Sequence, residues 1–254
     1  MTELAGVEIS QHRQVCVVIP TYDNAGTVAQ VATAAHAYCQ NVIVVDDGSN
    51  DETPAILKGL ECQGITIVSH DKNRGKGCAL KTGFLKAMEM GYSHAITMDA
   101  DGQHYPSDIP QFMDCIERYP DAIIVGSRNL ESENMPGKNT FANRFSNFWF
   151  TVQTWHQLAD TQSGYRAYPL KKLTGLRFLT SRYEAELMLL VLAAWAGVEL
   201  RTLPINVYYP PRGERVTHFR PGMDFLRISV LNTVLCILAV VYGWPRMILK
   251  KIKP

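Results

Sequence analysis

Two aspartates, Asp99 and Asp101, are the residues whose type and spacing most directly suggest chemistry. They close the stretch AITMDADGQH (Ala95 to His104), where a short apolar run, Ala95 to Met98, reads as a buried strand ending on acids. On a strand, side chains two apart share a face, and Gly102 bends the chain just there. Two hard oxygen donors at an open strand end suit a magnesium or manganese ion and leave positions for phosphate oxygens. Plain turn chemistry is the alternative, because Asp and Gly favour turns without any ligand. An EF-hand is excluded: Gly102 falls at the fourth loop position and Pro110 sits where the bidentate Glu belongs.

Other polar residues punctuate the chain in the same manner. Asp46 and Asp47 follow the run VIVV and could accept hydrogen bonds from a base or ribose. A helix N-cap network within DDGSNDET would use them as well. NRGKGCA lacks the spacing and terminal Ser/Thr of a P-loop. Its glycines and Lys76 could still present amides and a cation to a diphosphate, or form a simple turn and helix start. The first strand runs into IPTYDNAG rather than GxGxxG, which argues against a dinucleotide cofactor.

These residues need elements to bring them together. Apolar, β-branched runs at Val15–Pro20, Val42–Val45, Ile65–His70, Ala95–Met98 and 121–128 read as strands. Helical stretches alternate with them: Thr27–Gln40, one entered near Asp51 with Pro54 in its first turn, one after the Gly-rich turn, and Ser107–Tyr119. That alternation predicts βαβ units and an α/β fold with a buried, mostly parallel sheet. Ligands bind at the carboxyl ends of such strands, where Thr21, Asp23, Asp46, Asp47, Asp99, Asp101, Ser127 and Arg128 fall. Beyond Arg128 the texture changes: a polar loop ESENMPGKN, an aromatic-rich helix Thr140–Leu158, and a loop with a short strand in ADTQSGYRAYPL. An amphipathic helix Arg182–Gly197 follows, then a strand or two broken near Pro204, a basic loop, and an apolar run Ile228–Trp244. Residues 1–210 are expected to form the main domain and 211–254 a basic loop with C-terminal helices.

At 254 residues the chain can bury a full core, and its formal net charge is only +1. The charge is unevenly placed. From Tyr209 onward eight Lys/Arg face two acids, so this part carries +6 and the remainder −5, which points to an anionic surface. Six cysteines without CxxC spacing suggest mostly buried thiols in a reducing cytoplasm. MTELAGVEISQHRQ has no apolar run, and no signal peptide is expected.

VVIPTYDNAGTV, VVDDGSNDET, NRGKGCAL, MDADGQHYPSDIP, GSR and DTQSGYRAY occur in one order and spacing. Together they resemble a family-2 glycosyltransferase of the GT-A fold, nearest to the dolichol-phosphate-mannose-synthase-like, polyprenyl-phosphate branch. The resemblance covers roughly residues 14–210. It implies that Asp99 and Asp101 form the metal-binding DxD, with Gln103 as a further ligand. It also implies that Pro20, Tyr22 and Asp46 hold the base and ribose of a UDP- or GDP-sugar, with Lys76 near that pocket. Arg128 and Arg144 resemble the residues that grip the acceptor's phosphate, Arg144 being otherwise an ordinary surface Arg. Glu186 falls near the family's catalytic-base region. The branch's Arg-x-x-Gly-x-Ser-Lys-like acceptor loop is replaced by PPRGERVTHF, which keeps Arg212 and Arg215 but has no Ser-Lys.

The expected activity is therefore metal-dependent transfer of a sugar to a membrane lipid, with inversion implied by the resemblance alone. A lipid phosphate is already anionic and needs no strong base. A hydroxyl acceptor would need one, and Glu186 or Asp160 could serve, although Glu186 could equally be a paired structural acid. A nucleotidyltransferase would need a Gly-rich opening loop with a basic residue, and a non-catalytic sugar-nucleotide module would not need the intact DxD and GSR. Nucleic acid is disfavoured, because the basic segment comes with a long apolar run. As a helix, the seventeen residues Ile228–Trp244 would extend about 25 Å, short of a hydrocarbon core of roughly 30 Å. Cations flank both ends, so a helix broken at Pro245 and lying in the plane of the cytoplasmic leaflet is expected. The alternative is a helix packed on the protein's own core.

Overall fold

The structure, a computed structural model, describes residues 15–128, 137–176, 180–208 and 221–252. The apolar runs become strands β1 (Val15–Thr21), β2 (Val42–Asp46), β3 (Thr66–Ser69), β4 (His94–Thr97) and β5 (Ile123–Arg128). Between them lie α1 (Val28–Tyr38), α2 (Thr53–Glu61), α3 (Lys76–Glu89) and α4 (Ile109–Arg118). Then come α5 (Gly137–Thr154), β6 (Arg166–Pro169), α6 (Leu170–Leu173), α7 (Glu184–Trp195) and β7 (Leu200–Ile205). The described chain closes with α8 (Pro221–Leu238), a π-helical turn (Ala239–Gly243) and α9 (Trp244–Ile252).

The seven strands form one sheet in the order β3-β2-β1-β4-β6-β5-β7. All neighbours are parallel except those of β6, which runs antiparallel between β4 and β5. Strand period two divides the core. Val17, Ile19, Val44 and Ile124 face the layer of α1, α2 and α4. Cys16, Val18, Val45 and Val125 face a larger core that includes residues of α3, α5, α7 and α8.

Four expectations are corrected by this packing. β7 runs unbroken through Pro204 because it is the sheet's edge strand, where a missing N–H leaves no ladder bond unmade. The helix expected to be amphipathic over 182–197 is instead buried on nearly all sides as α7, because α8 packs over it. The cysteines are free, as expected, but only Cys16 and Cys39 are buried, and Cys62 is exposed. The C-terminal helix is not broken at Pro245. A π turn precedes it, with the Trp244 N–H reaching Ala239 O, and Pro245 falls in the first turn of α9, where its missing N–H is tolerated. Gly243 lets this turn close on α7: an added Cβ would lie 2.4 Å from the Trp195 ring.

Candidate active site

The strand order reverses direction between β1 and β4, and the polar strand ends converge at that switch point. Thr21 pairs in register with Asp46, and Thr97, two residues before Asp99, pairs with Arg166. The antiparallel β6 therefore starts where β4 ends, and brings Gly164 and Tyr165 of the SGYR stretch beside the DxD turn.

The centre of the site is an ion-pair cluster. Lys76 Nζ lies 2.6 Å from Asp99 Oδ1 and 2.8 Å from Glu186 Oε2. The Tyr183 ring lies 5.9 Å from the same ammonium. Burial alone would depress the Lys76 pKa, but the charges of Asp99 and Glu186 outweigh it and hold the ammonium well above its usual range. Burial likewise favours a neutral Asp99, and the charge of Lys76 beside it keeps it ionised. Asp101 forms no ion pair among the described residues. Burial, then the charge of Asp99, pushes it up to about 6. Gly164 is the wall of this cluster: a Cβ there would stand 2.8 Å from Asp99 Oδ2 and 2.9 Å from Lys76 Nζ. Only glycine leaves both groups their space.

The turn after Asp99 is held from several sides. The Gln103 N–H donates to Asp101 Oδ1 at 3.0 Å, and the Gln103 carbonyl accepts from the Tyr208 N–H at 2.9 Å. His104 accepts the Asp99 N–H on Nδ1 and packs on Tyr165. Burial lowers its pKa to about 4, so it is neutral at physiological pH. Asp108 accepts from the Asn206 N–H, so the extension of β7 clamps the whole turn.

Asp99, Asp101 and Gln103 are thus brought together, whereas among the described residues no group of three or more His, Cys, Asp and Glu side chains forms a closed metal site. The donor set still fits a hard divalent ion of the magnesium type, which takes one or two carboxylates and completes its shell with phosphate oxygens and water. The remaining expected residues have these positions. Pro20 is buried at the end of β1, beside Val45. Tyr22 lies next to Asn50, whose amide approaches its hydroxyl at 3.5 Å. Asp46 Oδ1 accepts from both the N–H and the hydroxyl of Ser49.

Two acids have other partners than expected. Asp47 binds His70 at 2.7 Å and accepts the backbone N–H groups of Arg74 and Gly75, so it fixes the Gly-rich turn that launches Lys76. Asp160 grips Arg128 through Nε at 2.6 Å and Nη2 at 3.0 Å, and also accepts from Asn143, Gln162 and Ser163. Burial would raise the Asp160 pKa, but the bonds from Arg128 and its other partners hold it below the usual range. Arg144 is exposed on α5. Arg212 and Arg215 lie outside the described residues.

The sequence offered no role for Gly164, His104 or Arg166, although all three stand in the quoted motifs. Arg166 is fully buried and ties the backbones of Thr161, Ser163 and Glu186 together. Its signal was faint: a charged residue opening an otherwise apolar strand.

Comparison with known proteins gives the family and the fold. Residues 16–173 match the family model for glycosyl transferase family 2. The chain is 32% identical over 213 residues to a UDP-N-acetylglucosamine–dolichyl-phosphate N-acetylglucosaminyltransferase of Methanococcus voltae, covering 76% of this chain and 84% of that protein. A polyprenol monophosphomannose synthase of Mycolicibacterium smegmatis is 29% identical over 160 residues, 60% of each chain. Among solved structures, glucosyl-3-phosphoglycerate synthase from Mycobacterium tuberculosis, in complex with Mn2+ and UDP-glucose, superposes with a TM-score of 0.63. At 18% identity, covering 89% of this chain and 78% of that one, it shows a shared fold.

Proposed function

Because the chain belongs to glycosyl transferase family 2, we propose that this glycosyltransferase moves a sugar from a nucleoside diphosphate to a membrane lipid phosphate of the polyprenyl type. The observation that carries the reading is the cluster of Asp99, Asp101 and Lys76 at the β1/β4 switch point, with Arg128 at the end of β5. Carboxylates and an ammonium side by side suit a diphosphate held with a divalent ion. The relatives named above act, by name, on dolichyl phosphate or a polyprenol.

Asp99 and Asp101, with Gln103, would hold magnesium or manganese, which when bound neutralises the charge growing on the leaving diphosphate. Asp46, Tyr22 and the backbone beside Pro20 line the base and ribose end. Lys76 supplies a cation to the phosphates. The acceptor's phosphate oxygen attacks the anomeric carbon in line with the leaving oxygen, so configuration inverts and orientation supplies much of the rate. Arg128, held rigid by Asp160, orients that phosphate.

The C-terminal helix is the part of the chain suited to a membrane. Leu226–Lys250 is long and apolar enough to cross a bilayer. Its Leu231, Leu235, Ala239 and Met247 are, however, packed into the enzyme's core, which favours a helix lying in the leaflet over one that spans it. Leu226, Val230, Val234, Ile237 and Val241 remain exposed, joined by Phe145 and Phe148 of α5. We place the enzyme peripherally, on the cytoplasmic face.

The test is incubation with radiolabelled UDP- and GDP-sugars, polyprenyl phosphate in vesicles, and Mn2+ or EDTA. A labelled lipid formed only with metal is the expected product. Label passing to a hydroxyl-bearing glycan but not to the lipid phosphate overturns the acceptor assignment.

A further inference from the structure

Lys76 sits where the metal reading requires an open carboxylate. Its ammonium is 2.6 Å from Asp99 Oδ1, close enough that a divalent ion on the same carboxylate would meet a like charge at short range. Glu186 holds the same ammonium at 2.8 Å through Oε2, and its other oxygen, Oε1, is buried without a hydrogen-bond partner. An ammonium has three donors, so Glu186 can take more of Lys76 than it now does. The Lys76 backbone is not free to follow, because Asp47 fixes the N–H groups of Arg74 and Gly75 immediately before it. Any exchange is therefore a swing of the side chain alone, against the wall where Gly164, lacking a Cβ, lets Lys76 and Asp99 approach the backbone.

From this geometry we propose that Lys76 is an internal stand-in for the divalent ion, occupying Asp99 in the nucleotide-free enzyme and retreating to Glu186 and the donor's phosphates when the ion enters. Glu186 is then a positioning residue that receives Lys76, not a base. The ion and the Lys76 ammonium repel each other across Asp99, so the free enzyme binds metal weakly, and metal and nucleotide diphosphate load together. Each relieves the other's cost, which is a coupling between two ligands through one side chain. The proposal rests on the metal reading above, and the experiment separates the two.

Mn2+ binding to the nucleotide-free full chain is followed by the electron paramagnetic resonance signal of the free ion. Lys76→Met is expected to tighten Mn2+ by about tenfold, within the usual range for such couplings, and Lys76→Arg to leave it near wild type. Glu186→Gln is expected to weaken Mn2+ in the wild-type background and to have no effect in the Lys76→Met background, because Glu186 acts through Lys76. Lys76→Gln carries the same expectation as Lys76→Met and replaces it if the methionine variant does not fold. Mn2+ binding indifferent to Lys76, or an equal effect of Glu186→Gln in both backgrounds, overturns the proposal and leaves the metal reading standing. Mn2+ binding that Asp101→Asn fails to reduce overturns the metal reading, and the proposal with it.

Discussion

At the scale of the residue, charge placement separates groups that handle ligand from groups that hold them. Among the described residues Asp101 accepts the Gln103 N–H and forms no ion pair, so its loss should spare the fold and remove the chemistry. Asp101→Ala is expected to lower turnover by about a hundredfold or more, as losing several kcal/mol of charge stabilisation implies. Its unfolding midpoint should stay near wild type; turnover that remains full in EDTA would sink the metal assignment. Asp160 should behave in the opposite way. Breaking its pair with Arg128, in which Asp160 is fully buried and Arg128 partly so, is expected to cost about 3 kcal/mol of stability. Its pKa is depressed in the fold, so the stability it contributes is complete above the unfolded value of about 3.9. That stability is lost as pH falls through the lower folded value. Denaturant unfolding of Asp160→Asn across acid pH should show a flatter slope than wild type. An unchanged stability with lost turnover would instead restore Asp160 as a catalytic base.

At the scale of the element, the site depends on how segments are tied at their ends. The Gly-rich turn before α3 is held by one carboxylate with three bonds, to His70, Arg74 and Gly75. Asp47→Ala leaves buried donors unpaired, at about 1–3 kcal/mol, and lets Lys76 drift from Asp99. The donor KM should rise well before the acceptor KM does, a split that steady-state kinetics resolves. Equal changes in both would mean that the turn serves the fold rather than the donor. The same logic applies to β6. A strand of four residues, inserted antiparallel between two parallel neighbours, carries Gly164 and Arg166 to the DxD turn. Short elements of this kind leave almost no periodic trace in sequence.

At the scale of the whole molecule, the C-terminal helix belongs to two environments at once. One face completes the core over α7, and Gln153 of α5 binds both Asn232 of α8 and, through its carbonyl, Trp195 of α7. The other face is apolar and open. Deleting the helix would strip the core, so the discriminating variants change one face at a time. Ile237→Glu with Val241→Glu should release the enzyme from anionic vesicles and leave its melting temperature nearly unchanged. Leu235→Ala, on the packed face, should cost about 2–5 kcal/mol and leave vesicle binding of the folded fraction intact. Retention of the double glutamate variant on vesicles would remove the helix from the membrane interface.

The sequence by itself determined the parallel half of this protein. Val15–Thr21, Val42–Asp46 and the stretch ending in Asp99 are local apolar runs whose β-branched residues, spacing and terminal acids place them as strands with a site at their carboxyl ends. The order of motifs named the family on the same local grounds. Tertiary structure alone decided which acids are free to act. Asp46 and Asp47 are neighbours of the same type, and only folding shows that Asp47 is spent on the turn of residues 70–75. Asp160 and Arg128 are thirty-two residues apart, and Lys76 meets Asp99 and Glu186 from two different helices and a strand end. Ion pairing falls off over a few ångströms in space, and separation along the chain carries no record of it.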